Sequence, residues 1–111
     1  MAYDDLLASR IRALLGSFPG LVEKGMFGGV GFLLYGNMTC GVHKNDLIVR
    51  VGPANYDTAL AHPHVRPFDM TGRPMSGWVM VEPLGCETES QLNAWIRRGI
   101  DFARTLPAKE K

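Results

Sequence analysis

Met26-Phe27-Gly28-Gly29-Val30-Gly31-Phe32 runs without a break into Leu33-Leu34-Tyr35 and then Gly36-Asn37. Glycine at three of four consecutive positions is costly, because each gives up more backbone freedom on folding than any other residue. Such a segment is kept where the backbone bends sharply, bulges, or approaches another part of the molecule closely. Phosphate-binding glycine loops follow a strand and open a helix, whose N-terminus holds the anion. Here the glycines precede a strand, so the stretch reads as a structural signature between two apolar anchors, Phe27 and Phe32. It leads into a hairpin: a strand over Val30–Tyr35, a Gly36-Asn37 turn pair that tolerates positive φ, and a return strand over Met38–His43.

Lys44-Asn45-Asp46 then marks a turn, and Leu47–Val51 another strand. Its Leu47, Val49 and Val51 point one way, and Ile48 and Arg50 the other. Upstream, Leu21–Lys24 fits a short edge strand. Leu7, Ile11, Leu14 and Leu15 form the stripe of an amphipathic helix over Asp4–Leu15. Asp4 and Asp5 suit its positive end, and Gly16 and Pro19 stop it. Downstream, Pro53–Ala61 is expected as a short helix closed by His62-Pro63-His64. Short strands follow over Phe68–Met70 and Trp78–Val81, around a Thr71-Gly72-Arg73-Pro74 turn. Thr88-Glu89-Ser90-Gln91 is a capping box. Leu92, Trp95, Ile96, Gly99, Phe102, Ala103 and Leu106 then recur at helical spacing until Pro107. The order and the short connections predict a two-layer α+β domain: a mainly antiparallel sheet flanked by N- and C-terminal helices. The helices cover one face, and a second copy of the chain could cover the other.

The chain has 111 residues, enough for one domain with a core that needs no metal or disulfide staple. A net charge of +1 argues against a broad nucleic-acid footprint. No apolar run approaches the ~20 residues of a membrane span, and the acidic start is not a signal peptide. Cys40 and Cys86 form no Cys-x-x-Cys pair, which fits two free thiols in a reducing, cytoplasmic setting.

The chemistry-bearing residues do not converge on paper. Cys40 and His43, three apart on a strand, face opposite ways and would meet only across a bulge. Cys86 has Glu87 and Glu89 beside it, which disfavours a thiolate. His62 and His64 are too few ligands for a zinc site, and His62 suits a helix C-terminus. Arg97, Arg98 and Arg104 are interleaved with Asp101, which is expected to pair with them along the helix. Arg50 and Arg73 are the more interesting cations, with Asp46, Asp69 and Glu82 as available partners. Phe27, Tyr35 and Trp78 could line an apolar patch nearby.

The pattern resembles the TfoX/Sxy N-terminal domain family. The matching pieces are Met26–Phe32, Gly36-Asn37-Met38, Asp46–Gly52, Thr71–Gly77, Leu92–Ile96 and Phe102–Pro107, covering the chain from about Ile11 onward. The resemblance implies a compact α+β domain similar to secretion-chaperone-like dimers. It also implies kinship with competence regulators that work with the cyclic-AMP receptor protein at promoters. Longer members carry a further C-terminal helical domain, so this chain is expected as a stand-alone domain over 1–111 with 107–111 as a frayed tail.

The resulting expectation is a non-enzymatic interaction or regulatory domain without catalytic residues, metal or cofactor. It would be a homodimer, with a transcription-related protein partner by family resemblance and no direct contact to nucleic acid or membrane. Phe27, Arg50, Arg73 and Trp78 are the candidate contact surface. The rivals are a small-molecule binder or enzyme with a cleft near Arg50, Arg73 and His43, and a weak nucleic-acid binder.

Overall fold

The computed structural model describes residues 4–16, 18–26, 29–69 and 75–107. Asp4 opens the first helix, α1 (Asp5–Leu15), by accepting hydrogen bonds from the Leu6 and Leu7 N–H groups. Four strands follow: β1 (Leu21–Met26), β2 (Gly29–Leu34), β3 (Asn37–His43) and β4 (Asp46–Arg50). A 3-10 turn (Pro53–Asn55) leads into the short α2 (Tyr56–Leu60). Then come β5 (Val65–Pro67), β6 (Trp78–Val81), a second 3-10 turn (Pro83–Gly85) and α3 (Glu89–Ala103). The six strands form one antiparallel sheet in the order β1-β2-β3-β4-β6-β5. This is the α+β architecture expected, with α1 and α3 flanking the sheet.

Alternation along each strand divides the apolar side chains between two faces. Phe32, Cys40, Val42, Leu47, Val49, Val79 and Val81 lie in one buried cluster with Leu7, Ile11 and Leu15 of α1 and Leu92, Trp95, Ile96 and Ile100 of α3. The other face carries a smaller cluster of Met38, Ile48, Phe68 and Met80, bordered by the half-buried Leu33 and Trp78.

The glycine segment acts by close approach. A Cβ at Gly29 would collide with the Val42 carbonyl of β3. The bulge lies one strand over. Phe32 pairs with Cys40 but the adjacent Leu33 pairs with Met38, so Thr39 is the extra residue. Its Oγ1 donates to the Phe32 carbonyl at 2.9 Å. The bulge turns Met38 and Cys40, two residues apart, onto opposite faces. Phe27 and Gly28 lie outside the described residues, as does the Thr71–Pro74 turn.

Several boundaries depart from the expectation by a residue or more, three of them for a reason visible in the pairing. The β2–β3 loop is Tyr35-Gly36, with φ of 50° and 85°, closed by the Leu34–Asn37 pair. Both loop residues of this turn type need positive φ. Tyr35 adopts it because its N–H donates to the Gly20 carbonyl at 2.8 Å and its ring packs over Gly20. Strand β5 ends at Pro67, before the expected Phe68–Met70, because Val65, Arg66 and Pro67 find partners in Val81, Met80 and Val79. Helix α3 ends at Ala103, short of Leu106. Thr105 and Leu106 donate instead to the Phe102 and Ala103 carbonyls, tightening the last turn before Pro107.

At its N-terminus α3 has both capping-box bonds: Gln91 N–H to Thr88 Oγ1 at 3.1 Å and Thr88 N–H to Gln91 Oε1 at 2.9 Å. Mid-helix, Gly99 rests on the bulge, where a Cβ would collide with the Thr39 carbonyl oxygen. Trp95, one turn earlier, is 6% exposed.

Two substitutions test this seat in urea unfolding. Trp95→Ala should destabilise by roughly 3–5 kcal/mol, the cost of removing a large buried ring. Gly99→Ala should destabilise by about 1–3 kcal/mol through overpacking, although alanine has the better helix propensity by about 1 kcal/mol. A Gly99→Ala protein more stable than the parent would show that α3 does not meet the sheet there.

Candidate functional site

Arg50 closes β4 beside its cross-strand partner Trp78. Its guanidinium carbon lies 5.1 Å from the Trp78 ring centroid and 5.3 Å from that of Phe102 on α3. Both distances are within cation–π range. Burial against these rings lowers the Arg50 pKa below its ordinary value, and the group stays charged as arginine does. Two of the three carboxylates expected as available partners, Asp46 and Glu82, are engaged elsewhere. Arg66, on the edge strand β5, bonds Asp46 Oδ2 at 2.7 Å and lies 3.4 Å from Glu82 Oε2. Arg66 was not among the residues singled out from the sequence. The register of β5, which brings it level with Met80, is a long-range pairing that local pattern does not encode.

Of the four residues expected to form a contact surface, the structure joins Arg50 and Trp78. Phe27 and Arg73 lie outside the described residues. The expected pairing along α3 is not seen: among the described residues Asp101 makes no ion pair with Arg97 or Arg104. On α1, the Arg12 guanidinium grips Glu23 of β1 with two hydrogen bonds of 2.7 Å. It thereby holds the Glu23 carboxyl below its ordinary pKa.

The thiols are sequestered. Burial pushes Cys40 up to about 12 and Cys86 up to about 11, far above the range of a reactive thiolate. The bulge at Thr39 precedes Cys40, so Cys40 faces the helices and stays off the face that His43 occupies. Among the described residues no group of three or more His, Cys, Asp or Glu could hold a metal ion, and no helix is long and apolar enough to cross a membrane.

Of the concavities that border α3, two bear on the site. One, of about 480 Å³, lies at its C-terminal end among Phe18, Tyr35, Asn37 and Leu106. Asn37 is 2% exposed; its Nδ2 donates to the Pro107 carbonyl at 2.8 Å, while Oδ1 has no partner among the described residues. The other, of about 370 Å³, separates the α2–β5 loop from the N-terminal half of α3. There His62 meets the Trp95 ring edge-on, with centroids 5.2 Å apart, and does not simply cap the preceding helix. Neither concavity is lined by Arg50 or His43.

A family model, the TfoX N-terminal domain, matches residues 13–103. The chain belongs to the TfoX N-terminal domain family. The matched span runs from within α1 to the last residue of α3, so it includes the whole sheet and the Gly99–Thr39 contact. No curated protein and no solved structure matches the chain.

The burial of both thiols in this TfoX N-terminal domain is open to a direct check. Native protein at pH 8 should react with a water-soluble disulfide reagent at neither cysteine over minutes, and at both once denatured. Rapid labelling of either site in the native state would contradict the burial that raises both thiols.

Proposed function

We propose that this TfoX N-terminal domain is a non-enzymatic interaction module that acts as a homodimer through the sheet face without helices. Its regulatory role would resemble that of the family's competence regulators. The observation that carries the proposal is an apolar row across three strands. Val22 pairs with Leu33, and Leu33 with Met38. Directly paired residues share a face. The row runs from the buried Met38 through the half-buried Leu33 to Val22, which is 54% exposed at the outer strand. An apolar strip that ends at the outermost strand, whose far edge has no partner among the described residues, invites an apolar counterpart. In a two-fold dimer each copy presents the same strip to the other, so the chain supplies its own complement.

The absence of catalysis is supported by the thiols, both too deeply buried to serve as nucleophiles, and by the ion pairs that occupy Asp46, Glu82 and Arg66. A reducing, cytoplasmic setting is supported by the same two free cysteines. A transcription-related protein partner is supported by family membership.

Light scattering after size exclusion at tens of micromolar should give twice the chain mass. The double substitution Val22→Glu, Leu33→Glu should give the chain mass with an unchanged far-ultraviolet circular dichroism spectrum. A parent protein that remains a monomer at that concentration would sink the proposal.

A further inference from the structure

The cleft between the α2–β5 loop and α3 has a composition that the dimer proposal does not use. We infer that it binds the oxyanion of a small organic ligand, a carboxylate or phosphate group carried on an apolar body. His62 and His64 contribute from the loop, Leu84 from the second 3-10 turn, and Gln91, Trp95 and Arg98 from α3. Its volume of about 370 Å³ falls in the range of small-molecule sites. All four polar side chains can donate hydrogen bonds, and no carboxylate lines the walls. Gln91 sits in the first turn of α3, where the helix dipole favours negative charge.

Arg98 is the centre of the site. Its guanidinium carbon lies 4.9 Å from the Trp95 ring centroid, and Nη2 lies 3.2 Å from His62 Nε2. Arg12 and Arg66 are held by carboxylates, whereas among the described residues Arg98 has none. A guanidinium fixed by a ring face and a single imidazole nitrogen is oriented yet keeps most of its five donors for a ligand. For Nη2 to donate to His62, Nε2 must act as an acceptor. An oxyanion could instead accept from Arg98 and from an imidazole N–H together, and the two oxygens of a carboxylate, or two of a tetrahedral phosphate, suit the guanidinium fork.

His64 is held in the left-handed region at φ 64°, uncommon for a residue other than glycine. Its carbonyl accepts from the Glu82 N–H at 2.8 Å, which anchors the loop on β6's continuation. The apolar body is implied by Leu84, 58% exposed, which lines the same cleft as the Trp95 indole.

The test uses the full chain labelled with ¹⁵N, titrated with benzoate, phenyl phosphate, inorganic phosphate and benzyl alcohol. The Trp95 indole N–H signal, assigned with Trp78→Phe, is the reporter. Benzoate or phenyl phosphate should shift it saturably below roughly 10 mM, and whichever binds tighter identifies the headgroup. Benzyl alcohol, which lacks the charge, and inorganic phosphate, which lacks the apolar body, should each bind at least about tenfold more weakly. Arg98→Gln should weaken binding about tenfold or more, while Arg104→Gln, at the far end of α3, should leave it unchanged. His64→Asn keeps a residue that tolerates positive φ and removes the ring. It should weaken binding severalfold and decides the matter if Arg98→Gln disturbs folding. No saturable shift with any probe, or equal weakening by Arg98→Gln and Arg104→Gln, would overturn the inference.

Discussion

At Gly99 the last helix comes so near the sheet that the Thr39 carbonyl occupies the place of a missing side chain. Much of the molecule hangs on that approach. A helix set further out would no longer bury Trp95, Ile96 and Ile100 against Phe32, Val42 and Val49, and close packing tolerates few voids. The contact needs two unusual residues at once. A glycine mid-helix costs about 1 kcal/mol against alanine. A bulge removes a residue from regular pairing. Each is unfavourable alone, and together they let a helix backbone and a strand backbone meet directly.

The same approach places the two ends of α3. Toward the C-terminus, Phe102 reaches Arg50, and Pro107 accepts from the buried Asn37 at the start of β3. Toward the N-terminus, Trp95 supplies both a core anchor and the ring on which His62 and Arg98 are arranged. One helix therefore joins the core to these two surface concavities.

Charge is distributed by competition among arginines. Arg66 takes Asp46 and Glu82, Arg12 takes Glu23, and Arg50 and Arg98 are left to aromatic rings. Such pairs, partly open to solvent, add only about 0–1 kcal/mol each to stability. Their larger effect is on surface character: the helix-free face has carboxylates already neutralised at one side and an apolar row at the other. The loop side of α3 retains an arginine that has no carboxylate partner among the described residues.

The chain's local order was readable from residues near one another. The α1 and α3 stripes, the capping box at Thr88, the alternation of Leu47, Val49 and Val51, and the hairpin around Gly36 all follow from periodicity and turn chemistry within a few positions. The placement of Cys40 away from His43 followed from the same alternation. What depended on distant parts of the chain was not readable. The Tyr35-Gly36 turn depends on a bond to Gly20, β5 on its register with β6, and Arg66's partners on both. The cluster of His62, Trp95 and Arg98 joins residues more than thirty positions apart. Except at the Thr39 bulge, local pattern sets which way a side chain faces on its own element, because that needs only backbone geometry. Which side chain it meets is set by how elements dock, and that is decided by packing across the whole fold.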